Sequence, residues 1–147
     1  MQLIMSETDK LIYLISKAQR LVWNYLNSEL KKEDVIITPP QTTILFSIMK
    51  YGPQSMNALS RLLRIKNATT TGLVDRLENN GLVTRNAVGE DRRRWDIDIT
   101  EKGVAEITKA KTIVNEVNDK IKEGCSKREI EALKKVLSLF DAKFGDA

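Results

Sequence analysis

The sequence predicts a mainly α-helical chain with one small β-hairpin set among its helices. Three observations predict it. Apolar residues recur at three- and four-residue spacing through most of the 147 positions. Cap and stop residues cut that pattern into separate helices. One stretch, "GLVTRNAVGEDRRRWDIDITEKG" from Gly81 to Gly103, instead alternates strictly between apolar and polar from Trp95 to Ile99, as a half-buried strand does.

Residues 8–31 read as a long helix, with Leu11, Leu14, Ile15, Ala18, Leu21, Val22, Tyr25 and Leu26 in one stripe and Ile12 and Trp23 on a second apolar face. A helix apolar on two sides packs against more than one neighbour. Thr38 then caps a second helix, with Pro39 at its first position and Gln41 completing a capping box. Ile44, Leu45, Ile48 and Met49 are expected inside, and Gly52-Pro53 ends the helix. Ser55 caps a short third helix carrying Met56, Leu59, Leu62 and Leu63.

The fourth follows almost at once, capped by Asn67, with Leu73, Val74 and Leu77 inward and Gly81 closing it. Two short helices with so short a connection read as a helix-turn-helix. The hairpin comes next: Leu82–Arg85 and Trp95–Ile99 are its expected strands, with 86–94 as the connection. Trp95, Ile97 and Ile99 face the core, Asp96 and Asp98 the solvent. Thr100 caps a helix that ends at Gly124, and Ser126 with Glu129 forms a capping box for the last one, whose stripe runs from Ile130 to Phe144.

The order predicts a winged helix-turn-helix flanked by N- and C-terminal helices. One domain, 1–147, is expected, with the winged helix-turn-helix at 38–100 and a helical dimerisation lobe from 8–31 and 101–145. The long stripes of those outer helices need a partner, and a second copy of the chain is the simplest one.

Composition narrows the function. The chain has no histidine and one cysteine, so histidine-assisted nucleophiles are impossible and a metal site lacks its usual ligands. No Gly-rich phosphate loop is present. No enzyme, cofactor or metal is expected. Cys125, near Lys122, Lys127 and Arg128, would be a thiol sensor only if exposed and lowered in pKa. No apolar run nears the roughly 20 residues of a membrane span, and "MQLIMSETDK" does not read as a signal peptide. A cytoplasmic protein with no membrane partner is expected.

Net charge is +4, yet residues 61–94 alone hold 8 basic and 4 acidic groups. Such a local excess points to a polyanion, although a solvated face would look the same.

"GLVDRLENNGLVTR" and "EDRRRWDIDITEKG", preceded by "ITPPQTTIL" and "SMNALSRLL" in that order, resemble the MarR family of bacterial and archaeal transcription regulators. The resemblance runs from about residue 9 to 144. It implies a homodimer that binds double-stranded DNA at a pseudo-palindromic operator, usually as a repressor. In many members a small, often aromatic or anionic, ligand releases the DNA. The absence of histidine argues against the family's zinc-sensing branch.

Carried onto this chain, the fourth helix would enter the major groove. Lys66, Asn67, Thr69 and Thr71 are then its candidate base or phosphate contacts. Thr70 falls on the core side, while Thr69, Gly72 and Arg76 share the outward face. Gly72 departs from members that have a basic side chain there. Arg76 is a DNA contact or an ion-pair partner of Glu78 or Asp91. Arg61 and Arg64 are expected at backbone phosphates.

In the wing, one of Arg92, Arg93 and Arg94 would enter the minor groove while the others hold phosphates, and Asp91 would orient the Arg93 guanidinium. Tyr13, Trp23, Tyr25, Phe46 and Met49 are the candidate ligand pocket, or simply core. The alternative reading is a winged-helix module that contacts protein rather than DNA.

Overall fold

The computed structural model describes residues 8–145, so most of the stretch read as no signal peptide lies outside it. The chain runs α1 (Leu11–Lys32), α2 (Pro39–Tyr51), β1 (Gln54–Ser55), α3 (Met56–Leu63), α4 (Asn67–Asn79), β2 (Val83–Val88), β3 (Asp91–Ile99), α5 (Glu101–Lys122), α6 (Lys127–Ser138) and α7 (Phe140–Phe144). Among the described residues, no helix is long and apolar enough to cross a membrane.

The caps explain most boundaries. At α2 the Thr38 N–H donates to Gln41 Oε1 at 2.9 Å. At α3 the Ala58 N–H donates to Ser55 Oγ at 3.1 Å. At α6 the Glu129 N–H donates to Ser126 Oγ at 3.1 Å while the Ser126 N–H donates back to Glu129 Oε2 at 2.7 Å. Those bonds from Ser126 hold the Glu129 carboxyl below its usual pKa.

Helix α4 departs from expectation at its start. Lys66 already has extended backbone and is the N-cap, so Asn67 is the first helical residue. The Asn67 amide donates sideways to Asn57 Oδ1 at 3.0 Å instead of capping. The far end behaves as read. Gly81, with φ 72°, donates its N–H to the Glu78 carbonyl at 2.9 Å, and the Leu82 N–H reaches the Leu77 carbonyl at 2.9 Å. This paired closure satisfies two terminal carbonyls and turns the chain into the wing.

The sheet has three strands in the order β1-β3-β2, all antiparallel. Gln54 pairs with Ile97 and Ser55 with Asp96, a strand too short to leave any period in the sequence. The hairpin is longer than its alternation suggested. Strands β2 and β3 continue to a turn at Gly89-Glu90, so 86–94 is not a loop. Beyond the core, strand pairing rests on the backbone ladder and places no apolar demand on side chains.

The ladder is interrupted, however. Pairing passes from Ala87↔Trp95 directly to Val88↔Asp91, which leaves Arg92, Arg93 and Arg94 as a bulge with no opposing residue. Trp95 is also a correction. It shares the face of the buried Ile97 but is 48% exposed, because the core ends one pair earlier.

One apolar core joins the helices to the sheet. Leu30 of α1, Ile44 and Ile48 of α2, Leu59 of α3, Leu77 of α4, Ile97 of β3 and Ile107 of α5 all belong to it. The buried carboxylate of Glu106 accepts the Ile36 N–H at 2.7 Å and fastens the α1–α2 connection to α5.

The T-x-x-G at Thr100–Gly103 is a second fastening. Thr100 Oγ1 accepts from the Gly103 N–H at 3.0 Å and donates to the Gly81 carbonyl at 2.6 Å. A Cβ on Gly103 would lie 2.1 Å from the Leu82 carbonyl oxygen and 2.7 Å from Ile99 Cγ1.

The outer helices are bare. Leu11 and Ile12 are 75% and 70% exposed. Helix α6 buries nothing, and its stripe at Leu133, Val136 and Leu137 faces outward. The last helix also breaks at Leu139, so Phe140–Phe144 is a separate turn of helix, with Phe140 and Phe144 meeting edge to face at 5.5 Å.

Candidate nucleic-acid interface

The helix-turn-helix is α3, the connection Arg64–Lys66, and α4. Two buried hydroxyls pin the helices together: Ser60 Oγ donates to Thr70 Oγ1 at 2.8 Å. Thr70 is therefore interior, as its spacing implied, and α4 turns its opposite face outward. Lys66, Asn67, Thr69, Gly72 and Arg76 are exposed. Thr71 is half-buried, and its hydroxyl donates to the Asn67 carbonyl at 2.8 Å. Among the described residues Arg76 forms no ion pair, because Glu78 is drawn to a different arginine.

That arginine is Arg85, which the sequence reading missed. It projects from β2 and bonds the Asp75 carboxylate, with its Nε 3.5 Å from Glu78 Oε2. Wing and recognition helix are thus latched. Acids at positions 75 and 78, one helical turn apart, were a faint signal, but nothing local says that a strand residue ten positions later faces them. Arg85→Ala is expected to cost about 1 kcal/mol or less in thermal unfolding, as partly exposed pairs do. It should weaken DNA binding more than that, because the wing angle loosens; anisotropy titration beside a melt checks the split.

In the wing, Arg93 and Arg94 are exposed, and the Arg92 side chain lies outside what the structure describes. Asp91 does not hold a guanidinium as expected. Its Oδ1 accepts the backbone N–H of Arg93 at 3.0 Å. A short carboxylate beside a turn reaches the amide two residues on more easily than a long side chain bending back. It therefore shapes the bulge rather than aiming one arginine.

A cleft of about 710 Å³ opens between wing and helices, lined by Asn57, Glu78, Arg85, Arg93, Arg94 and Trp95 among others. A second cleft is lined by Asn57, Arg61, Lys66 and Asn67 together with α7. Asn57 belongs to both, so the wing arginines and the cations around the helix-turn-helix border one another. The arrangement is a basic, exposed helix face beside a basic hairpin tip.

The MarR family model matches residues 37–95, which is α2, the helix-turn-helix and most of the wing. The chain belongs to the MarR family. It is 27% identical over 101 residues to the HTH-type transcriptional repressor MdtR of Bacillus subtilis (strain 168), a match covering 67% of this chain and 65% of that protein, just under two thirds of its length. Among solved structures, a probable transcriptional regulator from Pseudomonas aeruginosa superposes with a TM-score of 0.79 at 27% identity, covering 88% of this chain and 96% of that one. The transcriptional repressor CouR, bound to a 23-mer DNA duplex, superposes with a TM-score of 0.81 at 25% identity over 90% and 93% of the two chains.

Against this MarR fold, two groups of expected residues are placed differently. Arg64 was expected at phosphates. Its backbone is left-handed, φ 53°, and its guanidinium donates to Asp141 Oδ1 and to the Gly145 carbonyl, each at 3.0 Å. The turn swings it toward α7. Arg61 stays exposed on α3.

The five ligand-pocket candidates are not a core cluster. Tyr13, Trp23 and Tyr25 are surface residues of α1, Met49 is exposed at the end of α2, and Phe46 alone packs against the core. The Lys120 ammonium sits 5.5 Å over the Tyr25 ring. Their helical spacing was read without knowing that much of α1 meets nothing within its own chain. Cys125 is exposed in the turn before α6.

Proposed function

We propose that this MarR-family chain is a transcription regulator that binds double-stranded DNA, acting as a repressor. One observation carries the reading: an exposed α4 face lies beside an arginine bulge, in a chain closely superposable on a repressor bound to duplex DNA. Helix α4 would lie in the major groove with Lys66, Asn67 and Thr69 at its leading end. The bulge arginines would reach the phosphates and the minor groove, where permanent guanidinium charge is favoured. Arg61 and Arg76 would meet the backbone on either side. The protein is not an enzyme in this reading and needs no cofactor.

The acting unit is a homodimer on a pseudo-palindromic operator. The bare stripes of α1 and α6 support this, since exposed apolar area of that extent is covered in a stable soluble protein. A small aromatic or anionic ligand that releases DNA belongs to the same proposal, with Tyr13, Trp23 and Tyr25 near the dimer lobe as its candidate contacts. Leu133→Glu with Leu137→Glu should convert the dimer to a monomer or an unfolded chain, read by light scattering on a sizing column. A dimer that survives both charges would remove α6 from the interface.

Fluorescence anisotropy tests DNA binding. The duplex upstream of the protein's own gene is compared with a scrambled one across salt. Preference for the native duplex, with a log–log salt slope of about 0.9 per phosphate neutralised, is expected. Equal, weak binding to both duplexes would count against sequence-specific recognition there.

A further inference from the structure

The chain's seven glycines divide by the reason each is there. Gly52, Gly81, Gly89 and Gly124 have positive φ, between 61° and 82°. At Gly103 and Gly145 a Cβ would lie 2.1 and 2.4 Å from a backbone carbonyl oxygen. Gly72 has neither reason. Its φ is ordinary, and a Cβ there would meet nothing within 4 Å. It stands in the interior of the 13-residue helix α4, where glycine destabilises a helix relative to alanine.

Its position is specific. Thr70, Val74 and Leu77 form the buried face of α4. At 100° per residue, Gly72 lies opposite them, at the part of the helix farthest from the core. Thr69 is exposed one turn before it and Arg76 one turn after. A gap in the side-chain layer therefore sits midway along the face offered to DNA.

Resting on the DNA-binding reading above, we infer that Gly72 is a specificity-determining residue, kept so that the α4 backbone can seat against base edges on the major-groove floor. Removing the side chain lets the helix axis come closer to the groove. Thr69 and Arg76 can then reach bases or phosphates that a bulkier neighbour would hold out of range. Contacts of this kind depend on the shape of one base pair's edge, so they add sequence preference rather than general affinity.

Gly72→Ala separates this role from a structural one, because the two predict opposite signs in paired measurements. The probes are duplexes selected by the parent protein from a library with a randomised core, and a scrambled duplex of the same length. The variant is expected to melt about 2–4 °C higher. It should bind the selected duplex about tenfold more weakly, keep its affinity for the scrambled duplex and keep its salt slope. A second selection with the variant should return an altered preference at the bases facing the middle of α4.

A higher melting point with undiminished preference for the selected duplex would overturn the inference and leave the DNA-binding reading standing. A lower melting point would also overturn it, by revealing a structural need for glycine. Failure of the parent to enrich any sequence would defeat the DNA-binding reading itself, and this inference with it.

Discussion

Gly103→Ala is expected to destabilise the protein by about 3 kcal/mol, although a glycine-to-alanine change inside a helix normally stabilises. The reason is steric. The added Cβ would sit 2.1 Å from the Leu82 carbonyl oxygen and 2.7 Å from Ile99 Cγ1. Neither neighbour can yield cheaply. The Leu82 carbonyl accepts the Thr100 N–H at 3.0 Å, and Ile99 pairs with Val83 in the sheet. Helix α5 would have to back away from the point where the wing returns to the core. Thermal unfolding at matched protein concentration measures the loss; an unchanged midpoint would mean that α5 does not begin in contact with Leu82. The same substitution at Gly72 is expected to raise the midpoint.

The double change Arg93→Ala and Arg94→Ala is expected to lower affinity for the selected duplex about a hundredfold or more, with the log–log salt slope falling by about 1.8 for two lost phosphate contacts. Stability should stay within about 0.5 kcal/mol, because both side chains are exposed and make no intrachain ion pair among the described residues. This contrast is what a functional patch looks like, since little in the fold depends on the guanidiniums. Anisotropy over a salt series, beside a melt, gives both numbers. Full affinity in the double variant would move the wing away from DNA and leave α4 to carry binding alone. Asp91→Ala offers a finer test. It frees the Arg93 N–H that the carboxylate now accepts at 3.0 Å, so affinity should fall modestly with the salt slope kept.

Much of this architecture was legible before any coordinates. Caps at Thr38, Ser55, Thr100 and Ser126 act within four residues, and each marks a helix start in the structure. Gly81 likewise closes α4 as read. The inward position of Thr70 followed from the spacing of Leu73 and Leu77. Exposure of Lys66, Asn67, Thr69 and Arg76 fits the outward face assigned to them. The misreadings share a cause. Asn67, Arg64, Asp91 and Trp95 each had a partner or setting given by another part of the chain: Asn57, Asp141, the bulge and the end of the core.

The sequence by itself determined the order of elements, their boundaries to within a few residues, and the basic segment between Arg61 and Arg94, because caps, turn glycines and apolar periods are local signals. Only the tertiary structure decided that Arg92–Arg94 leave the ladder as a bulge. The same holds for the Arg85 latch between wing and recognition helix, for the turn of Arg64 toward α7, and for the impossibility of a side chain at Gly103. Those outcomes depend on which distant surfaces meet, at distances of a few ångströms. Residue spacing along one chain carries no such information.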